Sequence, residues 1–250
     1  MTDTVTAAVV LIGDELLSGR TRDINLQQIA DFLQPMGIQV REARIVGDEQ
    51  DDIVEAVNTL RARNDYVFTT GGIGPTHDDI TADAIGAAFN RPVSEHPGAL
   101  AILEARYREN GTEVTPDRRR MARTPEGAEL IDNPASGAPG FRVENVFVLA
   151  GVPSICRAML EGVGPHLKTG AVVHTVTVRG RGLREGDIAA ALRALAEAHP
   201  MLSLGSYPWF NSQGYGSHLV ARGVDAAALD TVKDALIDLV KAQGGEPEIV

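Results

Sequence analysis

The chain has 250 residues, of which 44% are hydrophobic and 23% are charged, which suits one large or two small globular domains. Its net charge of −11 argues against a nucleic-acid-binding protein, because such proteins usually present a basic surface. Cys156 is the only cysteine, so no intramolecular disulfide can form, and we expect a reducing, cytoplasmic environment. No apolar run approaches the ~20 residues that a membrane helix requires, so no membrane contact is expected.

The first part of the chain alternates apolar runs of strand type with segments of helical periodicity. The predicted strands are Thr6–Ile12, Ile38–Val46, Tyr66–Thr70 and Val146–Ala150. The predicted helices are Ile24–Met36, Asp51–Arg63, Ile80–Phe89, Ala99–Asn110 and Ser154–Leu167. Leu16–Arg22 and Pro134–Gly140 have loop composition. This order predicts an α/β domain, a parallel sheet with helices on both faces, over residues 1–168.

The pattern changes after about Gly170, where alternating strands replace continuously apolar ones. The predicted elements are the strand Val172–Arg179, the helix Arg184–His199, the strands Met201–Tyr207 and Tyr215–Arg222, and the helix Ala226–Gln243. Pro208–Gly214 is interpreted as a turn and Glu246–Val250 as a tail. The βαββα order predicts a second, small α+β domain over residues 169–250, with two helices on one sheet face.

The most informative stretch is Val67–Thr81, in which a buried strand leads through Gly71-Gly72-Ile73-Gly74 into a helix start. Such a loop can direct backbone N–H groups and the positive end of the helix dipole at an anion, usually a phosphate. It matches neither the dinucleotide fingerprint nor the phosphate loop of nucleotide hydrolases, and a tight turn without a ligand is the alternative. Asp78 and Asp79 would repel a phosphate unless a divalent cation lay between them, and carboxylate plus phosphate is how Mg²⁺ is usually held.

The carboxyl ends of the first three predicted strands carry related residues. They read Gly13-Asp14-Glu15, Gly47-Asp48-Glu49 and Gly71-Gly72-Ile73-Gly74. Ligands of parallel α/β sheets bind outside the carboxyl ends of the strands, so we expect one site built from these three loops.

Three further features leave alternatives open. Arg118-Arg119-Arg120 fits a solvated helix face or a contact to a phosphate or partner. His77 could contact phosphate or act as an acid. Trp209-Phe210 could stack on an adenine or pterin, although such a pair more often fills a core or a subunit contact.

Four segments together resemble the molybdopterin-binding-like domain of molybdopterin adenylyltransferases, gephyrin-type proteins and the competence/damage-inducible (CinA) branch, which is the most similar. They are Ile12–Gly19 with Asp23-x-Asn25, then Thr69–Thr81, Gly137–Phe141 and Leu149–Pro153. Residues 172–243 resemble the small KH-type domain that follows in the CinA branch, with Gly205-Ser206-Tyr207-Pro208 and Arg222-Gly223-Val224-Asp225 as its marks.

The resemblance implies a small phosphorylated ligand, either a pterin such as molybdopterin or a nucleotide. It also implies metal-dependent chemistry at the phosphates, with Asp48 and Asp79 as catalytic and metal-binding residues and Mg²⁺, Mn²⁺ or Co²⁺ as the cation. In the CinA branch the domain is associated with hydrolysis of ADP-ribose at its pyrophosphate; the alternative is a non-catalytic molybdopterin-binding module of molybdenum cofactor biosynthesis. The expected ligand contacts are Gly13, Glu15, Asn25, Thr70, Gly71, Gly72, Gly74, Thr76, His77, Asp78, Thr81, Gly140, Gly151 and Pro153.

The sequence departs from the family pattern in three respects. Ala150 stands where the family usually has proline, and Ile155-Cys156 replaces an acid and a methionine, so contacts there are in doubt. The resemblance stops before the amidohydrolase domain of full-length CinA proteins, so amide hydrolysis is not expected. Self-association as a dimer is expected through the small domain, because its strands include a possible unpaired edge.

Overall fold

The computed structural model describes residues 4–212 and 214–250. The chain forms two compact units, and the boundary between them lies between Ala171 and Val172. The sequence places this boundary at 168/169. Each unit has a hydrophobic core of its own.

The larger unit is built on a six-stranded sheet, with a separate two-stranded sheet beside it. Its strands are β1 (Val5–Ile12), β2 (Ile38–Val46), β3 (Tyr66–Thr70), β4 (Val93–Glu95), β5 (Arg123–Pro125), β6 (Glu129–Ile131), β7 (Gly140–Val143) and β8 (Val146–Leu149). The large sheet has the order β2-β1-β3-β8-β7-β6. β2, β1, β3 and β8 are parallel, which confirms the predicted parallel sheet, and β7 and β6 extend it with an antiparallel edge that the sequence did not predict. The reason is that β7 and β8 are joined by a tight hairpin, which only antiparallel strands allow.

Helices cover both faces of the large sheet, which confirms the predicted α/β fold. They are α1 (Asp14–Leu17), α2 (Asn25–Leu33), α3 (Gln50–Arg61), α4 (Thr81–Ala88), α5 (Pro97–Glu109), α6 (Pro116–Arg119) and α7 (Pro153–Val163), with 3-10 turns at Gln34–Met36, Arg120–Ala122 and Gly164–His166. One core layer lies under α3 and α4 and the other under α2 and α7. Alternate residues of β1 enter the two layers, which explains why this strand is apolar throughout. The short helix α1 occupies part of Leu16–Arg22, where the sequence predicted only loop.

The smaller unit is α+β, as predicted, but it contains one element more than expected. It consists of β9 (His174–Arg181), α8 (Glu185–Ala198), β10 (Ser203–Asn211), β11 (Gly214–Gly223), α9 (Ala226–Ala242) and β12 (Glu246–Ile249). The sheet is antiparallel in the order β10-β11-β9-β12. The predicted tail was wrong, because β12 pairs with β9 and thereby covers its free edge. The predicted turn at Pro208–Gly214 was also too long, since β10 continues as strand to Asn211.

Within the residues that the structure describes, no helix is long and apolar enough to cross a membrane.

Candidate functional site

The carboxyl ends of β1 and β2 are joined by a reciprocal pair of hydrogen bonds. The N–H of Asp14 donates to Oδ2 of Asp48 at 3.0 Å, and the N–H of Asp48 donates to Oδ1 of Asp14 at 3.3 Å. Behind them, the N–H of Gly13 donates to the carbonyl of Val46 at 3.0 Å. Because β1 and β2 are adjacent and parallel, the two Gly-Asp-Glu loops meet and fix two carboxylates at one edge of the sheet.

The half-buried Asp48 lies in an acidic environment. Burial raises the pKa of its carboxyl, and the nearby charges of Asp14 and Glu15 raise it further. Asp78 also contributes to the raised pKa of Asp48, so the third loop brings its acid toward the first two. The hydrogen bond from the Asp14 N–H lowers the Asp48 pKa, but by less than burial raises it. A cluster of this kind favours a bound cation, which would offset the repulsion between its members.

The loop after β3 packs so closely against neighbouring segments that Gly71 and Gly72 have no room for a side chain. Gly71 has φ +104°, and a Cβ there would lie 2.2 Å from the carbonyl oxygen of Ile12. Gly72 has φ +66°, and a Cβ there would lie 2.2 Å from Oγ1 of Thr81. The Thr81 hydroxyl donates to the carbonyl of Gly71 at 2.9 Å, and its N–H donates to Gly72 at 3.0 Å. These bonds fix the glycine loop to the first residue of α4.

A second turn follows between Gly74 and α4. One carboxylate oxygen of Asp79 accepts the N–H of Thr76 at 2.8 Å and its hydroxyl at 2.5 Å. In return, the Asp79 N–H donates to the carbonyl of Thr76 at 3.3 Å. Asp79 therefore closes the turn, whereas its neighbour Asp78 is exposed. The nearby Thr76 side chain lowers the pKa of Asp78.

A third group of polar residues lies between β3 and the loop after β8. The buried Asn25 donates from Nδ2 to the carbonyl of Gly151 at 2.7 Å and to the Thr70 hydroxyl at 3.5 Å. A Cβ at Gly151 would lie 3.1 Å from Cα of Gly71, so this loop touches the glycine loop. Oδ1 of Asn25 and Oγ1 of the neighbouring Thr69 are buried and have no hydrogen-bond partner in the described ranges. Because successive strand residues face opposite sides of the sheet, Thr69 lies on the other face from Thr70 and Asn25, which leaves Oδ1 of Asn25 as the acceptor of this group that is unsatisfied within the described part of the chain.

The remaining predicted contacts lie in different surroundings. The Glu15 carboxylate folds over Gly13, and Gly74 lies against the carboxylate of Asp79. His77 is exposed, and Pro153 is the first residue of α7. Gly140 lies elsewhere: a Cβ there would lie 2.3 Å from Cε of Met159 and 2.4 Å from the Val148 carbonyl, so this glycine serves packing inside the sheet.

The helices that begin at this edge, α4 and α7, have no side-chain cap on their N-terminal N–H groups among the described residues, although both follow strands that end at the site. By contrast, α5 and α6 are capped by the side chains of His96 and Thr115. Uncapped N–H groups carry partial positive charge and favour anions.

The arginine run Arg118–Arg120, for which the sequence leaves a solvated helix face or a contact to a phosphate or partner open, contacts other parts of the same chain. Arg118 donates to the Glu113 carbonyl and lies over the Tyr107 ring, and Arg119 forms a two-bonded pair with Glu95. Arg120 donates into the turn at Thr76–Asp79. No signal in the sequence identifies this role, because the acceptors of Arg120 are backbone carbonyls.

Comparison with known proteins places this site in a family. A family model described as a probable molybdopterin binding domain matches residues 8–169, well over half of the chain. The chain belongs to this molybdopterin-binding domain family. A second model, described as the middle domain of FAD synthase, matches residues 173–247 in the smaller unit.

Individual relatives agree with this assignment. A protein of Aeropyrum pernix is 35% identical over 245 residues, which cover 94% of this chain and 90% of that protein. A CinA-like protein of Anaeromyxobacter sp. strain K is 34% identical over 200 residues, covering 76% of this chain but only 46% of that protein. The crystal structure of the protein CinA of unknown function from Thermoplasma acidophilum is 33% identical with a TM-score of 0.60, covering 64% of this chain and 98% of that chain. The predicted resemblance to the CinA branch is confirmed.

Proposed function

We propose that the molybdopterin-binding unit binds a phosphorylated nucleotide or pterin at the carboxyl edge of β1, β2 and β3, and that it hydrolyses the pyrophosphate of ADP-ribose or a similar nucleotide. The observation that carries this proposal is the acidic group around Asp48 beside a glycine loop without room for side chains. The loop suits a phosphate, and the acids suit the cation that a phosphate would bring with it.

The residues present fit a divalent cation held jointly by protein and substrate. Among the described residues, no group of three or more His, Cys, Asp or Glu side chains could hold a metal by itself. Mg²⁺ commonly uses only one or two carboxylates and takes its other ligands from substrate phosphates and water. In this proposal Asp48 and Asp79 hold Mg²⁺, Mn²⁺ or Co²⁺, and the metal would supply charge stabilisation at the phosphoryl oxygens.

The chain's own residues account for the other requirements. The N–H of Gly71 already donates to the Leu149 carbonyl, so the phosphate oxygens are bound by backbone N–H groups of Gly72–Gly74 and by those N–H groups in the first turns of α4 and α7 that have no acceptor within the described residues. Asn25, held by Gly151, offers a buried acceptor, Oδ1, to a donor group of the ligand. Water adds to one phosphorus and the bridging P–O bond breaks, so ADP-ribose yields AMP and ribose 5-phosphate. A carboxylate that accepts a proton from this water would complete the reaction.

The test is incubation of the purified chain with ADP-ribose and Mg²⁺, Mn²⁺ or Co²⁺, with AMP measured by chromatography. We expect metal-dependent release of AMP that chelation abolishes and that Asp48→Asn lowers by about 10²-fold, the scale for loss of one electrostatic stabiliser. Asp187→Asn, which changes an acid of the smaller unit in the same way, is the control. AMP release that is equal in both variants would contradict the assignment.

A second candidate is a molybdopterin-binding module of molybdenum cofactor biosynthesis without turnover. The description of the matched family favours it, because that description names molybdopterin binding and no reaction. Saturable binding of molybdopterin without release of AMP from ADP-ribose under any metal would favour the module over the hydrolase.

We also infer that the chain self-associates through its smaller unit. Strand β10 lies at a sheet edge and contains no charged residue, whereas the opposite edge strand, β12, carries two glutamates. Charges on an edge strand oppose pairing with another chain, so β10 is the more open of the two edges, although Pro208 removes one N–H donor from it. Phe210 is 87% exposed and Tyr207 is 53% exposed on this strand, which suits burial against a second copy.

A further inference from the structure

Arg120 lies outside the residues that the family motifs indicate, but it contacts the turn that carries Asp79. Its Nε donates to the carbonyl of Thr76 at 3.2 Å, and its Nη2 donates to the carbonyl of Asp79 at 3.2 Å. We propose that Arg120 is a positioning residue, which holds the Thr76–Asp79 turn in the conformation that places Asp79 at the phosphate site. The expected effect of Arg120 on catalysis rests on the proposed function, whereas its effect on the conformation of the turn does not.

The turn needs an external support because little else holds it. Residues Pro75 to Asp78 are exposed, and the contacts within the turn are those between Thr76 and Asp79. The two carbonyls that Arg120 binds are those of the first and last residues of this contact. A planar guanidinium can span both with two N–H groups in fixed geometry, whereas a lysine ammonium is a single point and cannot do so in the same way.

Arg120 lies between two arginines, each of which is held by an ion pair. On one side, Arg119 forms a two-bonded pair with Glu95 at 2.9 and 2.5 Å. On the other side, Arg123 forms a two-bonded pair with Asp83 of α4 at 2.9 and 2.6 Å. Bidentate pairs of this type fix geometry as well as charge. The backbone between them is therefore tied on one side to β4 and on the other to α4, the helix that begins at the glycine loop.

The guanidinium of Arg120 donates to backbone carbonyls of the turn rather than to a carboxylate. Across residues 4–212 and 214–250, no carboxylate lies within ion-pair distance of Arg120, unlike Arg119 and Arg123. Its bonds to Thr76 and Asp79 are thus the contacts that a substitution would remove. Because the role depends on the geometry of these two hydrogen bonds, a lysine at position 120, which keeps the positive charge, should not be sufficient to hold the turn.

The experiment compares Arg120→Lys and Arg120→Ala with Arg118→Lys in the full chain, without ligand. Arg118 is the matched control, because it is a half-buried arginine two residues away whose contacts lie at Glu113 and Tyr107. Hydrogen–deuterium exchange is followed by mass spectrometry in peptides that cover 74–81. We expect exchange there on the order of tenfold faster in both Arg120 variants, from loss of two hydrogen bonds, and unchanged in Arg118→Lys.

The outcomes separate this inference from the proposed function. Unchanged exchange in Arg120→Lys, or the same acceleration in Arg118→Lys, would overturn the positioning role. With ADP-ribose and metal, we expect kcat of Arg120→Lys to fall about tenfold while KM changes less than threefold, since the glycine loop remains. A normal kcat with faster exchange also overturns the role. If the unaltered chain releases no AMP, the proposed function fails and exchange alone decides the role of Arg120.

Discussion

Replacing Gly72 by alanine tests the packing of the glycine loop directly. Gly72 has φ +66°, and a Cβ there would lie 2.2 Å from Oγ1 of Thr81. A left-handed backbone costs an L-residue about 1–2 kcal/mol. The Thr81 hydroxyl must also move, which breaks its buried bond to the Gly71 carbonyl, a loss of about 1–3 kcal/mol. We expect Gly72→Ala to lower the free energy of unfolding of the larger unit by about 2–5 kcal/mol.

Gly111→Ala is the matched control for this substitution. Gly111 has φ +67°, almost the same backbone conformation as Gly72, but a Cβ there would meet nothing within 4 Å. It shares the cost of the left-handed backbone and lacks the collision. The difference between the two variants therefore isolates the contact with Thr81, at about 2 kcal/mol. For a unit of this size, that difference corresponds to about 4–8 °C in melting temperature.

Scanning calorimetry of the full chain measures both variants, and the fluorescence of Trp209, the single tryptophan, marks the transition of the smaller unit. Addition of Thr81→Ala to Gly72→Ala is a second check. Because the alanine removes Oγ1, the double variant should lose less stability than the two single variants summed, by about 1 kcal/mol or more. Equal melting temperatures for Gly72→Ala and Gly111→Ala, or strict additivity with Thr81→Ala, would refute the reasoning.

Three further outcomes are expected. Because the pKa of Asp48 is raised, the folded state binds the proton of this carboxyl more tightly than the unfolded state does. The contribution of Asp48 to stability therefore falls as the pH rises from the ordinary pKa of an aspartate through the raised pKa of the folded state. Asp48→Asn should raise the melting temperature at neutral pH, and a lower melting temperature would contradict this. Asp79→Asn should lower AMP release by about 10²-fold with little change in melting temperature, since an amide oxygen can still accept the donors of Thr76; full activity would leave Asp79 only a turn-closing role. Light scattering at micromolar concentration should give a mass above the 26.6 kDa of one chain, reduced by Phe210→Lys; a monomeric mass for the unaltered chain would count against self-association.

Local signals in the sequence determine much of this protein. Continuous apolar runs predict β1, β3 and β8, because a strand that is covered on both faces has no polar side. The three glycines between 71 and 74 predict a loop that a ligand can approach, since the crowding at this turn excludes a Cβ. These features arise from the preferences of neighbouring residues, and the resemblance to a known family rests on the same short segments.

Other features depend on which segments the tertiary structure brings together. Residues 246–249 alternate glutamate with proline and isoleucine and have no strong strand pattern, but they form β12 because β9 offers an unpaired edge. Arg120 reaches carbonyls more than 40 residues earlier in the chain, and carbonyls leave no trace in a sequence. Asp48 owes its raised pKa to burial and to acids on two other loops. The order of the strands decides these contacts, and that order follows from the burial of both sheet faces over the whole unit.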